Sequence, residues 1–219
     1  MYTFLGNKTN DALINSLKTY CTMSPEVEKA MREVDRKYFC SNLPYEDSPQ
    51  PIGHNVTISA PHMHATCLEL LKDFLTPGSK CLDVGSGSGY FTACMAIMVQ
   101  PKGKVYGIEY IDEIATLGIQ NLKKSNHFSQ DGTITIKTGD GWIGWEEMGP
   151  FSAIHVGAAA SNIPKKLIEQ LSSPGRLIIP VGVSSQYLLQ VDKDEKGQIF
   201  TKNIFPVRYV PLVNPNHFE

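Results

Sequence analysis

Asp83, the run Gly85-Ser86-Gly87-Ser88-Gly89, Glu109 and Asp140 are the residues whose types and spacing point most directly to chemistry. A loop with almost no side chains lets a ligand lie against the backbone. The helical pattern after it (Phe91, Cys94, Met95, Met98) aims N–H groups at that ligand. The dinucleotide fingerprint G-x-G-x-x-G would need glycine at position 90, where this chain has Tyr90. About twenty residues past the loop, Glu109 ends the run Gly107-Ile108-Glu109-Tyr110, placed to accept from both hydroxyls of a ribose. Asp140, between Gly139 and Gly141, is placed to accept from an adenine amino group. Each acid alone reads as a solvated loop charge. Three at successive strand ends, after a bare loop, read as a nucleoside site.

A second group lies upstream, in Gly53-His54-Asn55-Val56-Thr57-Ile58-Ser59-Ala60-Pro61-His62-Met63-His64. In an extended chain Asn55, Thr57 and Ser59 share one face, and Val56 and Ile58 take the other. Pro61 then opens a helix with His64 in its first turn. On residue types alone, Ser59 reads as a helix cap and His64 as a packed or surface histidine. Metal binding is weaker still: His62, His64 and Cys67 have no fourth ligand nearby, and no metal is expected.

Periodicity gives the elements that must position these residues. Leu13, Ile14, Leu17 and Tyr20 predict a helix over 10–20. Ser24 as cap, Pro25 at the first position and Glu26 open a second, with the stripe Val27, Ala30, Met31, Val34 and Tyr38. Residues 41–54 read as an irregular loop, and a third helix spans about 62–75. From residue 80, strands at 80–84, 104–109, 133–138, 151–156 and 175–181 alternate with helices at 90–99, 111–124 and 163–172. Asn162 and Pro164 open the last helix, and Pro174-Gly175 stops it. Two extended runs, 187–191 and 199–210, flank a polar turn and form a hairpin. The expected fold class is α/β: a Rossmann-like, doubly wound, mostly parallel seven-stranded sheet with an antiparallel C-terminal hairpin. Residues 1–78 are expected to form a helical cap and substrate loop, packed on the same domain as a core over 79–219. Ligands of such sheets bind at the carboxyl ends of the strands.

A chain of 219 residues, 42% hydrophobic and 19% charged, has an ordinary globular composition and needs no staples. It should bury ~70% of its unfolded surface. The net charge of −2, with no basic block beyond Lys123-Lys124 and Lys165-Lys166, argues against a nucleic-acid partner. Five scattered cysteines without a C-x-x-C fit reduced thiols in the cytoplasm. Residues 1–10 lack a signal layout and no apolar run approaches ~18 residues, so no membrane partner is expected.

The pattern D-x-G-x-G-x-G resembles the loop that holds S-adenosylmethionine in Rossmann-like methyltransferases. More specifically, Ser48-Pro49-Gln50-x-Ile52-Gly53 and Thr57-Ile58-Ser59-Ala60-Pro61-His62-Met63-His64-Ala65 resemble the protein-L-isoaspartate (D-aspartate) O-methyltransferases. So do Leu82-Asp83-Val84-Gly85-Ser86-Gly87-Ser88-Gly89, Gly139-Asp140-Gly141, Ala153-Ile154-His155-Val156-Gly157-Ala158-Ala159-Ala160 and Gly175-Arg176-Leu177-Ile178-Ile179-Pro180-Val181-Gly182. The likeness runs from about residue 11 to Leu212. It implies methylation, from S-adenosyl-L-methionine, of the abnormal carboxylate left when Asn deamidates or Asp isomerises. The partners would be isoaspartyl-containing peptides and damaged proteins, with D-aspartyl residues as further candidates, and the enzyme a monomer. Ser59 matches the family's active-site serine. Thr57, Ser59, His64 and Val213 are the implied substrate contacts. Ile58, Asp83, Gly85, Ser86, Gly87, Ser88, Glu109, Tyr110, Asp140 and Gly141 are the implied cofactor contacts. Two features depart from the family: Glu109 stands where many members have Asp, and the tail over 213–219 is short where animal members carry a longer basic one.

These residue types suit that reaction. A carboxylate with a pKa near 4 is already ionised and needs no strong base. Its attack on a sulfonium annihilates two charges, so a dry cleft with modest donors such as Ser59 and Thr57 serves better than an arginine pair. Alignment alone can supply roughly 7–11 kcal/mol. Rival readings are another methyltransferase, an NAD oxidoreductase, or a cofactor-binding protein without catalysis. Amine methylation typically uses an Asn/Asp-Pro-Pro-aromatic motif after the fourth strand, and this chain has His155-Val156-Gly157-Ala158 there.

Overall fold

A computed structural model of the protein describes residues 7–125 and 132–213. The N-terminal part holds α1 (Asn10–Leu17), α2 (Pro25–Glu33), the hairpin β1 (Gln50–Gly53) and β2 (Val56–Ile58), and α3 (Pro61–Leu71). Then follow β3 (Lys80–Val84), α4 (Tyr90–Met98), β4 (Lys104–Glu109), α5 (Asp112–Lys124) and β5 (Ile134–Thr138). The chain closes with β6 (Phe151–Val156), α6 (Lys165–Gln170), β7 (Leu171–Val181), β8 (Gln186–Lys193) and β9 (Ile199–Val207).

Seven strands form one sheet in the order β5-β4-β3-β6-β7-β8-β9. The first five are parallel, and β8 and β9 add the antiparallel hairpin. Strand β3 lies in the middle and is buried on both faces, so alternate side chains feed two cores. Leu82, Val84, Ile154, Val156, Leu177 and Ile179 point to one, shared with Trp145 and Leu167. Cys81, Ala153 and Ile178 point to the other, shared with α1 to α4. Helix α4 is sandwiched between the sheet and the N-terminal helices, which is why it is apolar nearly all round and buried at eight of its nine positions.

Five expectations need correction. Helix α1 stops at Leu17, and Tyr20 is 58% exposed, donating to Asp47 Oδ2 at 2.7 Å instead of joining the stripe. Helix α2 keeps Val27, Ala30 and Met31 inside, but the chain leaves helical geometry at Val34 (ψ 89°). The short turn that follows rotates Arg36 inward and leaves Tyr38 exposed. Ser24 precedes α2 as expected, yet its side chain makes no cap bond.

Within the loop read over 41–54, Gln50–Gly53 pairs with β2 through a two-residue turn in which His54 and Asn55 both adopt positive φ. Asn is the usual tenant of such a turn. The neighbouring histidine and the preceding glycine hid it. Finally, α6 ends at Gln170 and β7 begins at once: Leu171 is buried in register with Phe151, and Pro174-Gly175 lies inside the strand. Burial of Leu171 outweighs the helical periodicity.

Candidate active site

Asp83 and His155 are register partners on β3 and β6, so their side chains leave the sheet together on the α4 face. His155 Nδ1 lies 2.8 Å from Asp83 Oδ1, and Thr92 donates to Asp83 Oδ2 at 2.6 Å. Burial pulls the His155 imidazole down, but the bonded Asp83 carboxylate and the facing Cys67 overcome it and raise the ring to about 9. The pair is therefore ionic and nearly neutral in sum. Phe91 stacks on His155 with centroids 3.8 Å apart.

Above this pair the chain turns through Gly85, Gly87 and Gly89, all at positive φ, and their neighbours bond back to the sheet: Gly85 and Ser86 N–H donate to the Ile108 carbonyl. Glu109, at the end of β4, binds the loop from the side. Its Oε2 accepts from Gly87 N–H at 3.0 Å and its Oε1 from Ile111 N–H at 3.1 Å. Burial nevertheless pushes the Glu109 carboxyl up, against those N–H groups. From below, α5 presses so closely that a Cβ on Gly118 would sit 2.8 Å from the Gly87 carbonyl. Ser86 Oγ is buried without a hydrogen-bond partner, so the loop offers an unused polar group where a ligand would lie.

Opposite the loop, β2 delivers Thr57, Ile58 and Ser59 to the same place, and Pro61 starts α3 with His64 turned inward. An inner cavity is lined by Ile58, Ser59, His64, Gly85, Ser86 and Gly87, with Asp83 and His155 on its floor. An outer cleft is lined by Pro49, Thr57, Ser59, Met63, Arg208 and Tyr209. The two share Thr57, Ser59 and Gly157. The outer wall comes from a strap after β9: Ala159 N–H donates to the Val210 carbonyl and Leu212 N–H to the Ala159 carbonyl, both at 2.8 Å. That strap brings the Tyr209 phenol to Cys67 and Ser59, where burial and the thiol push it well up and keep it protonated.

Of the residues expected at the site, Thr57, Ile58, Ser59, Asp83, Gly85, Ser86, Gly87 and Ser88 meet at the inner cavity. His64 lines that cavity and not the outer cleft. Glu109 supports the loop from behind. Tyr110 is 40% exposed beside it. Asp140 turns its carboxylate to Trp142 N–H at 2.8 Å, and Gly139 N–H ties that turn to the Glu109 carbonyl. Gly141 packs so tightly that a Cβ would meet Val84 at 2.6 Å. Val213 lines a separate cavity with Trp142, Asn162 and Gln186, and the rest of the tail, 214–219, lies outside the described residues.

Sequence reasoning missed His155, Tyr209 and Arg36. His155 had a signal: Asp83-Val84-Gly85 and His155-Val156-Gly157 share one spacing to a glycine at the strand end. Tyr209 sat inside what read as a strand.

Known proteins agree with this geometry. The profile of the family described as protein-L-isoaspartate (D-aspartate) O-methyltransferase matches residues 7–217. A protein-L-isoaspartate O-methyltransferase of Triticum aestivum is 50% identical over 94% of this chain and 91% of its own length. One of Caenorhabditis elegans is 45% identical over 95% and 94%. A Plasmodium falciparum protein assigned to the same activity, crystallised with S-adenosyl-L-homocysteine, superposes with a TM-score of 0.88 at 35% identity, covering 94% of this chain and 99% of that one. On the sheet order, the glycine cradle and these relatives together, the chain belongs to the protein-L-isoaspartate (D-aspartate) O-methyltransferase family.

Proposed function

We propose that Ser59 stands at the crossing between cofactor cavity and peptide cleft and orients the free carboxylate of an L-isoaspartyl residue for methylation. The observation that carries this reading is the sharing of Thr57, Ser59 and Gly157 by the two cavities. A methyl group passing from one to the other must pass there.

The enzyme is an S-adenosyl-L-methionine-dependent protein carboxyl methyltransferase. The unpartnered Ser86 hydroxyl and the bare backbone of the loop fit that cofactor. Ile58, Asp83, Gly85, Ser86, Gly87 and Ser88 would hold it, with Glu109, Tyr110, Asp140 and Gly141 toward its nucleoside end. When bound, it supplies a methyl group on a positively charged sulfur. The chain's own residues supply the rest. Thr57 and Ser59 donate hydroxyl hydrogen bonds that position the carboxylate and leave its charge available for attack. Tyr209, protonated, fixes the rotor of the Ser59 hydroxyl. The Asp83–His155 pair gives the floor polarity without net charge, and Phe91 and Tyr90 keep water out of it. No residue needs to remove a proton, because the attacking oxygen carries none at neutral pH.

His64, from the wall of the inner cavity, is a further substrate contact in this reading, Val213 on its separate cavity is not, and D-aspartyl residues are a second class of acceptor. The reading takes the enzyme as a cytoplasmic monomer, supported by five scattered, unpaired cysteines and a near-neutral charge. Among the described residues no helix is long and apolar enough to cross a membrane.

The test supplies methyl-labelled cofactor and two peptides, identical except for L-isoaspartyl or L-aspartyl at one position. Base-labile label on the isoaspartyl peptide alone is expected. Label on both, or on neither, overturns the assignment.

A further inference from the structure

Arg36 is fully buried, yet no ion pair joins it to a carboxylate among the described residues. Arg32 and Arg176, by contrast, are paired with Asp11, Glu28 and Asp192. A buried charge without a counter-ion is costly, so its neighbours say what it is kept for. The guanidinium donates from Nη2 to the Ser59 carbonyl at 2.8 Å and lies 3.3 Å from His64 Nδ1 through Nη1. It also sits 5.3 Å from the Tyr90 ring centroid, and its Nε has no partner.

A guanidinium only donates, so the His64 Nδ1 it faces must be the acceptor. The single ring proton of a neutral His64 is then on Nε2. The groups facing this ring are Arg36 from the turn after α2, His155 from β6, His62 from α3 and the rings of Tyr90 and Phe91 from α4. None is an anion. Burial first, then Arg36 and His155, hold the imidazole well below its ordinary value, so it stays neutral. The result is an uncharged N–H donor on the wall of the cavity that faces the glycine loop.

We propose that Arg36 is a positioning residue for methyl transfer: it fixes His64 as the Nε2-protonated neutral ring and anchors the Ser59 backbone beside it. Neutrality matters here because an imidazolium would repel the cationic methyl donor and over-stabilise the carboxylate before attack. This rests on the reading of Ser59 given above.

The test records nitrogen spectra of histidine-labelled protein, free of ligand, for wild type, Arg36→Lys and Arg36→Met. Melting temperature, cofactor affinity and kcat and KM on the isoaspartyl peptide are measured beside them. Wild-type His64 is expected as the neutral Nε2–H tautomer at neutral pH. In Arg36→Met it should become a mixture of the two neutral tautomers, burial still holding the ring uncharged, with kcat at least ~10-fold lower and KM within ~3-fold. Arg36→Lys should recover the tautomer and part of kcat. A wild-type ring protonated on Nδ1 overturns the proposal, even if Arg36→Met does not fold. So does an Arg36→Met variant that keeps both tautomer and kcat. Unchanged turnover in Ser59→Ala would instead overturn the reading of Ser59 and leave the tautomer result standing.

Discussion

The glycine cradle and the clamp opposite it are built by different rules. Nearly everything the cradle needs is consecutive, from Asp83 to Gly89, with Glu109 brought alongside by the neighbouring strand. The clamp is gathered from distant segments: Arg36 after α2, Thr57 on β2 and Ser59 just past it, His64 on α3, and Tyr209 after β9. The cradle is mostly backbone, and its specificity lies in where N–H groups point. The clamp is side chains, and burial keeps two of them, His64 and Tyr209, uncharged. On the proposed roles, the difference teaches that holding the donor is a local property of the chain, whereas aligning the acceptor is a property of the whole fold.

Variants should separate the two. Asp83 underlies both, and Asp83→Asn should have the largest effect. It should cost roughly 3 kcal/mol of stability, the low end for breaking a buried pair, because His155 can then shed its proton. The same pair predicts a pH dependence. A ring raised from 6.5 to about 9 by folding contributes stability that is complete below pH 6.5 and lost as pH rises through 9. The slope should approach ~1.4 kcal/mol per pH unit in that window and vanish in Asp83→Asn, as read by denaturant titration at several pH values.

Ser59→Ala should lower kcat roughly 10- to 100-fold, the worth of a hydrogen bond to a charged group, with cofactor affinity unchanged by calorimetry. Gly118→Ala should do the reverse. Its Cβ would push on the Gly87 carbonyl, weakening cofactor binding about tenfold, while peptide KM at saturating cofactor stays put. Tyr209→Phe should be mildest, raising peptide KM or lowering kcat about 2- to 10-fold, the range for one neutral hydrogen bond. A clamp variant that changed cofactor affinity as much as turnover would dissolve the distinction.

The contrast also explains what could be read in advance. The alternation of strands and helices, the C-terminal hairpin and the cradle were legible because each depends on spacing within a few residues. Ser59 reached the site through the resemblance, since its residue type alone suggested a helix cap. Arg36 was illegible: the stripe through Met31 and Val34 pointed to Tyr38, and only the break in α2 reverses which of the two is inside. His54 looked like loop and Asn55 like extended chain, because the turn's demand for positive φ is met there without the usual Asn-Gly.

Because β7, β8 and β9 follow one another as a meander, the polypeptide returns to β6 only after its last strand, where Val210 and Leu212 fasten onto Ala159. On the ribosome, then, the nucleoside seat emerges long before the residue that completes the acceptor wall. A message truncated ahead of residue 209 would yield, at most, a sink for the methyl donor. On the proposed roles, the catalyst exists only once translation has passed that point.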